Sequence, residues 1–461
     1  MGKSQLIFIS IVSFAVISGF IFSLYERSTE NSHVPSMSYV DFCNYKDKCK
    51  KLSRLVMGTD HLQHDDWTQP GQKSMSEDDL FKLLDETVKR GINTFDTSRI
   101  YVGAIEKKLG KWIALRKEQI KKDDFYYDSS FNPDRKIYVI SKGGFPHDLY
   151  FDLKLPLTEY SPALKEYLSM NKTLSVEGLV KEKLTPGTYA SKLFGEPENI
   201  RKNLTTEIED SFNNLQGLKI DIYLLHRDDF DFINYSKLDR QQNDVKKILT
   251  ALSHSSFKDF VGAFGLSNWS TDRTKTAFEL SDKHEDLVTP VMSSSYFSLF
   301  EMSGKPIHAG GDQFKHKDML NEDFLKGMLL MPYSPLGGFS ILDKPEPKWE
   351  NARASARRKA GLINGASPDP YWQNVYSAIF NDGGFNEKRY HRAKTFLKDF
   401  NEKNNTKYTL DQLLNAYVLA HPRTDMLAIG PITIEQLKRT NASLELATLL
   451  NKKDLAYLQQ M

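Results

Sequence analysis

The strongest constraint on how this chain can fold is an alternation. Eight short, nearly continuous apolar runs are separated by amphipathic stretches. The runs are Arg54–Thr59 (RLVMGT), Ile92–Thr97 (INTFDT), Lys136–Ser141 (KIYVIS) and Ile220–His226 (IDIYLLH). They continue with Phe260–Asn268 (FVGAFGLSN), Val288–Ser295 (VTPVMSSS), Gly327–Pro335 (GMLLMPYSP) and Met426–Pro431 (MLAIGP). Runs like these suit parallel strands covered on both faces. Helix starts are legible between them. Ser76 precedes the acidic EDD of a stretch running to about Arg90, as an N-cap with acids in the first turn should. Pro197 opens a helix in the position where its missing N–H costs nothing. Thr409 with Gln412, and Thr433 with Gln436, have capping-box spacing. Eight strand–helix repeats predict an α/β fold, a (β/α)8 or TIM barrel, over residues 51–461. A doubly wound sheet also alternates, but the eight repeats and the lack of a Gly-rich first turn favour the barrel.

Two interruptions break the rhythm, at about 143–196 after the third strand and about 343–388 after the seventh. Both would rise from the face where barrel strands end, and both read as substrate-side lids. Ahead of the barrel, residues 26–50 read as a polar linker, and residues 1–25 as a membrane anchor or signal segment. From Leu6 to Leu24 the chain is LIFISIVSFAVISGFIFSL, with no charge between Lys3 and Glu26. That length fits a single transmembrane helix preceding the barrel. A cleaved signal peptide would have a shorter apolar stretch and a small-residue cleavage site, so a retained single-pass anchor is favoured. Lys3 and Arg27 flank the segment on opposite sides, which leaves the side of the barrel open; it is secreted or luminal if the segment is cleaved or the barrel translocated. Six N-x-S/T sequons, at Asn171, Asn203, Asn234, Asn268, Asn404 and Asn441, do not decide the side either. The two cysteines, Cys43 and Cys49, fit a single bridge or two free thiols. They cannot make a zinc site alone, and no metal is expected.

A formal net charge of +2 gives no bulk field for nucleic acid, so no such partner is expected. Polar residues gather instead at the proposed strand ends. Asp96 ends the second run with Tyr101 five residues on, Lys142 ends the third, and His226 ends the fourth. In a barrel these positions face the reaction chamber. Their chemistry suits a carbonyl that accepts hydride and then needs a proton. A free tyrosine, with a pKa of about 10, is too weak an acid. A nearby ammonium favours the phenolate, a carboxylate keeps that ammonium charged, and an imidazole can orient the carbonyl oxygen.

These residues sit in DTSRIY with the following GAIEKKLGKWI, then VISK, IYLLHRDD and FGLSNWS. In that order the chain resembles the aldo-keto reductases over residues 51 to about 450. The resemblance implies a catalytic tetrad: Tyr101 as general acid, Lys142 as its partner, Asp96 as partner of Lys142, and His226 as carbonyl orienter. It also implies NADP as cofactor, with NAD possible, and a small-molecule carbonyl substrate. Ser267 and Asn268 match residues that hold the nicotinamide carboxamide, which argues against glycosylation of Asn268. Tyr333 matches the aromatic that stacks on the nicotinamide, and Ser334, Leu336 and Gly337 belong to the loop on the pyrophosphate side. Gly430 and Gln436 match the stretch that receives the adenosine phosphate.

Three departures stand out. Ser294 occupies the place of a carboxamide-holding Gln, Ile432 that of a basic residue on the 2′-phosphate, and Thr440 that of an adenine-contacting Asn. Losing the charge-assisted phosphate contact weakens the preference for NADP over NAD. Besides an oxidoreductase, the residues leave a non-catalytic, nicotinamide-binding, redox-sensing subunit of a membrane protein, with the membrane reached through residues 6–24. A barrel glycosidase would need paired carboxylates at facing strand ends, and only Asp96 and the Asp228/Asp229 pair qualify.

Overall fold

A computed structural model of the 461-residue chain describes residues 37–43, 49–62, 75–148, 189–190, 192–193, 195–228, 244–303, 312–337, 348–362, 373 and 375–460. The apolar segment 6–24, and with it the expected anchor, lies outside the described residues. Among those described, no helix is long and apolar enough to cross a membrane.

The chain enters through an antiparallel hairpin, β1 (Tyr39–Phe42) and β2 (Lys50–Ser53). A disulfide between Cys43 and Cys49 ties its end. The described part of the stretch expected as linker, residues 37–43, 49 and 50, is thus part of the fold. Its strands are only four residues long and separated by CNYKDKC, too short and too charged to show a period. The hairpin belongs here because Phe42 and Leu52 pack with Val56, Tyr138, Ile140, Ile222, Leu224, Met292 and Met426, which together form one apolar cluster.

Eight parallel strands follow, with helices between them. In chain order they are β3 (Leu55–Gly58), α1 (Glu77–Lys89), β4 (Thr94–Asp96), α2 (Ile105–Ile120), β5 (Tyr138–Gly143) and a small hairpin β6 (His147–Asp148)/β7 (Tyr189–Ala190). Then come α3 (Pro197–Asn214), β8 (Ile220–Leu225), α4 (Val245–Leu252), β9 (Val261–Ser267), α5 (Thr271–Lys283), β10 (Met292–Ser294), α6 (His316–Met319) and β11 (Leu329–Leu330). The chain closes with α7 (Trp349–Lys359), α8 (Phe385–Asn404), α9 (Leu410–Leu419), β12 (Leu427–Ile429), α10 (Ile434–Leu449) and α11 (Lys452–Gln459).

The sheet order is β11-β10-β9-β8-β5-β4-β3-β12, so sequential strands are neighbours and the last lies beside the first. Hydrogen bonds from the Met426 and Ala428 amides to the Leu330 and Pro332 carbonyls (3.1 and 2.9 Å) link β12 to β11. The two edges of the curled sheet meet there. The arrangement is consistent with a (β/α)8 barrel, and all eight apolar runs supply a strand.

The caps follow the sequence closely. Ser76 Oγ accepts the Asp79 amide at 3.1 Å, Pro197 opens α3, and Thr409 with Gln412 forms a full capping box. Thr433 accepts the Gln436 amide, but the Gln436 side chain takes the Ile432 amide (2.7 Å) instead of that of Thr433. Most of the first interruption lies outside the described residues. The second is not a structureless excursion. Its helix α7 begins at Trp349, which is buried against the rings of Phe300, Phe380 and Tyr390 at 5.8, 4.8 and 5.6 Å. This part of the interruption is packed into the core.

Candidate active site

Parallel register brings strand ends to one level. Asp96 is opposite Ile140, Lys142 opposite Leu224, and Ser267 opposite Ser294. The chain is held in register just beyond the strands: the Thr97 amide bonds to the Ile140 carbonyl (2.8 Å), and the His226 amide to that of Gly143 (2.8 Å). The four proposed catalytic residues are therefore delivered together.

Lys142 Nζ is the hub. It forms an ion pair with Asp96 and donates to the Thr97 carbonyl (3.2 Å) and to the Tyr101 hydroxyl (2.8 Å). Asp96, Lys142 and His226 are buried, and Tyr101 is half-buried. The Tyr101 and His226 rings meet edge-on with centroids 5.9 Å apart. Ser98 Oγ donates to the Lys142 carbonyl (3.1 Å) and lies 3.5 Å from His226 Nδ1.

The loop carrying Tyr101 is clamped by residues that showed no signal in the sequence. Arg99 bonds to Glu207 (2.9 Å) and Asp210 (3.2 Å) of α3. Glu207 also accepts the Gly144 amide (2.6 Å) and pairs with Lys192. One buried carboxylate thus joins the loop after β4 to the loop after β5. Glu207 lies mid-helix in a polar stretch, where nothing local distinguishes it from a solvated acid.

Burial pushes the Tyr101 phenol well above its ordinary value, with the Asp96 and Asp60 carboxylates adding to the shift and Arg227 opposing it. The ammonium was expected to favour the phenolate. Here its charge is matched by Asp96, and desolvation wins. Asp96 itself is raised by burial, against the pull of Lys142. His226 is held well below the ordinary histidine value by burial, then by Lys142 and Arg227. It is neutral at pH 7 and keeps one N–H to donate.

Of the residues expected to meet a cofactor, Ser267, Asn268, Ser294 and Tyr333 form the adjoining wall. Asn268 adopts a left-handed backbone (φ 62°), and its amide bonds to the Ser294 carbonyl at 2.8 Å. Its side chain donates to the His226 carbonyl and to Ser267 Oγ (3.0 Å each) and accepts from the Tyr333 hydroxyl. Ser334 (φ 55°) and Gly337 (φ 80°) shape a tight turn, closed by the Gly337 amide on the Ser334 carbonyl at 2.9 Å, with Leu336 buried inside it. Gly430 sits close to His61, whose ring carbon would lie 3.3 Å from an added Cβ. Thr440 Oγ1 is buried with no partner.

A model of the aldo/keto reductase family matches residues 54–142 and 172–461. The chain belongs to the aldo/keto reductase family. It is therefore a member of an oxidoreductase family, and the stretch the match skips lies within the first interruption. No curated protein matches the chain. The glycosidase alternative loses its carboxylate pair, because Asp228 is buried in an ion pair with Arg273 (2.5 Å) and Asp229 lies outside the described residues. Among the described residues, no cluster of His, Cys, Asp or Glu could hold a metal ion.

Proposed function

We propose that the protein is an NAD(P)H-dependent reductase of aldehydes or ketones, with Tyr101 as the general acid. The observation that carries this reading is the continuous line Asp96–Lys142–Tyr101 beside a neutral His226. Its raised pKa keeps Tyr101 protonated at neutral pH, so it holds the proton an alkoxide needs. His226 orients the carbonyl oxygen with its N–H, and Lys142 stabilises the phenolate left behind. Asp96 pairs with Lys142 and holds its Nζ beside the Tyr101 hydroxyl. When bound, reduced nicotinamide supplies the hydride to the carbonyl carbon.

The residues present fit such a cofactor. Ser267 Oγ accepts one hydrogen bond and keeps its own proton to donate. Asn268 can meet the carboxamide by exchanging the Tyr333 hydroxyl. Ser294 and Tyr333 adjoin them, Ser334, Leu336 and Gly337 form the pyrophosphate-side turn, and Gly430 and Gln436 would face the adenosine phosphate. Thr440 has an unpartnered hydroxyl to offer. NADP remains the expected cofactor, and the uncharged Ile432 keeps NAD usable. The test is oxidation of NADPH and of NADH by the full chain with a panel of aldehydes and ketones. Turnover is expected with both cofactors. Tight cofactor binding with no turnover would instead favour the non-catalytic subunit.

The barrel is further proposed to face an oxidising compartment, tethered by residues 6–24. The Cys43–Cys49 disulfide supports this, since such bonds are rare where thiols are kept reduced. Of the sequons, Asn268 and Asn441 are buried in the fold, whereas Asn203 and Asn404 are exposed.

A further inference from the structure

Arg227 stands at this same site, and its charge acts on the Tyr101 and His226 protons without its giving or taking one. It is half-buried, and its Nε and Nη1 are shut off from solvent with no hydrogen-bond partner. Its Cζ lies 5.7 Å from the centroid of the Phe145 ring. Phe145 in turn meets His226 edge-on at 5.3 Å, on a ring that also faces Tyr101 at 5.9 Å. The Tyr333 hydroxyl shares a hydrogen bond with the guanidinium. Arg227 therefore borders the space into which a carbonyl held by Tyr101 and His226 would project.

A guanidinium offers five N–H groups in a rigid fork that matches a carboxylate or a phosphate. Leaving the three on Nε and Nη1 dry and unpaired is costly unless a ligand takes them up. The nearby carboxylates do not. Asp228, next in sequence, pairs with Arg273, Asp96 pairs with Lys142, and Asp60 lies at the surface 3.9 Å from His61. Among the described residues no carboxylate forms an ion pair with Arg227. The other cation at the site, Lys142, has its charge matched.

We infer that Arg227 is the anion-recognising residue of the substrate site, so that the preferred substrate is a carbonyl compound that also bears a carboxylate or phosphate. This rests on the carbonyl-reductase reading above and names the substrate class for it. Phe145 supplies the flat apolar surface beside that anion. Arg227 binds and orients the substrate, while Tyr101 remains the proton donor.

The test compares kcat/KM of the full chain for matched pairs: 4-formylbenzoate against its methyl ester, and glyceraldehyde 3-phosphate against glyceraldehyde. The two pairs separate carboxylate from phosphate recognition. A charge-assisted contact of this kind corresponds to roughly 10- to 100-fold preference for the charged member of at least one pair. Arg227→Gln and Arg227→Met should collapse that ratio towards one, and Arg227→Lys should restore part of it. Added salt should also lower the ratio in the unaltered protein. Equal rates within both pairs, or a preference that survives Arg227→Gln, would overturn the assignment. Calorimetric titration with benzoate against benzamide reads the same site without turnover. Benzoate binding that Arg227→Met weakens would uphold the anion site even if no carbonyl were reduced, in which case only the reductase reading would fail. Equal binding of benzoate and benzamide to the unaltered protein would overturn the anion site.

Discussion

At the scale of single residues, the site divides into what the sequence exposes and what only packing creates. Asp96, Tyr101, Lys142 and His226 are legible because each ends an apolar run or follows one within a few residues, and strand register then brings them together. Arg99, Glu207, Asp60 and Arg227 are not legible as part of the site. Their roles arise from contacts between distant segments, which no local pattern encodes. Asp60 illustrates this: it is an exposed acid after β3 whose charge raises Tyr101. Removing that charge lowers the phenol pKa. Asp60→Asn is therefore expected to move the alkaline decline of carbonyl reduction, where Tyr101 loses its proton, to lower pH. A pH profile of kcat/KM for the two proteins checks the sign; a shift to higher pH would show that Asp60 does not act on Tyr101 in this way.

At the scale of elements, existence was easier to read than extent. The run GMLLMPYSP shortens to the two-residue strand β11, and VTPVMSSS to the three-residue β10. Proline has no N–H to give a ladder; the first run contains Pro332 and Pro335, the second Pro290. The β1–β2 hairpin is not legible in the sequence, because its apolar residues alternate over too few positions to show a period. Helix packing adds a constraint of its own. Gly110 of α2 lies against the C-terminal end of α3, where an added Cβ would collide with the Asn214 carbonyl and come within 2.6 Å of Leu215 Cα. Backbone atoms cannot swing aside as a side chain can. Gly110→Ala is expected to destabilise the fold by about 1–3 kcal/mol through overpacking, measured by denaturant unfolding. A change below about 0.5 kcal/mol would mean that α2 and α3 slide apart freely.

At the scale of the whole molecule, the barrel was the most legible feature, because eight buried strands each need an apolar run and the helices between them need a polar face. The disulfide was not: two cysteines six positions apart fit a bridge and free thiols equally well, and only the hairpin brings them together. If the barrel resides in an oxidising, glycosylating compartment, the full chain made in eukaryotic cells should shift on a gel after N-glycan removal. Substituting Asn203→Gln and Asn404→Gln together should reduce that shift, any remainder coming from Asn171 and Asn234, and a chain that never shifts would contradict the placement. The proposed chemistry of this fold in this chain has Tyr101 give the proton to a carbonyl reduced by nicotinamide hydride. It is tested most directly by comparing kcat for aldehyde reduction in the full chain and in Tyr101→Phe, with cofactor affinity measured alongside. A loss of roughly 100-fold or more is expected, with cofactor binding retained. Unchanged turnover in Tyr101→Phe would contradict it.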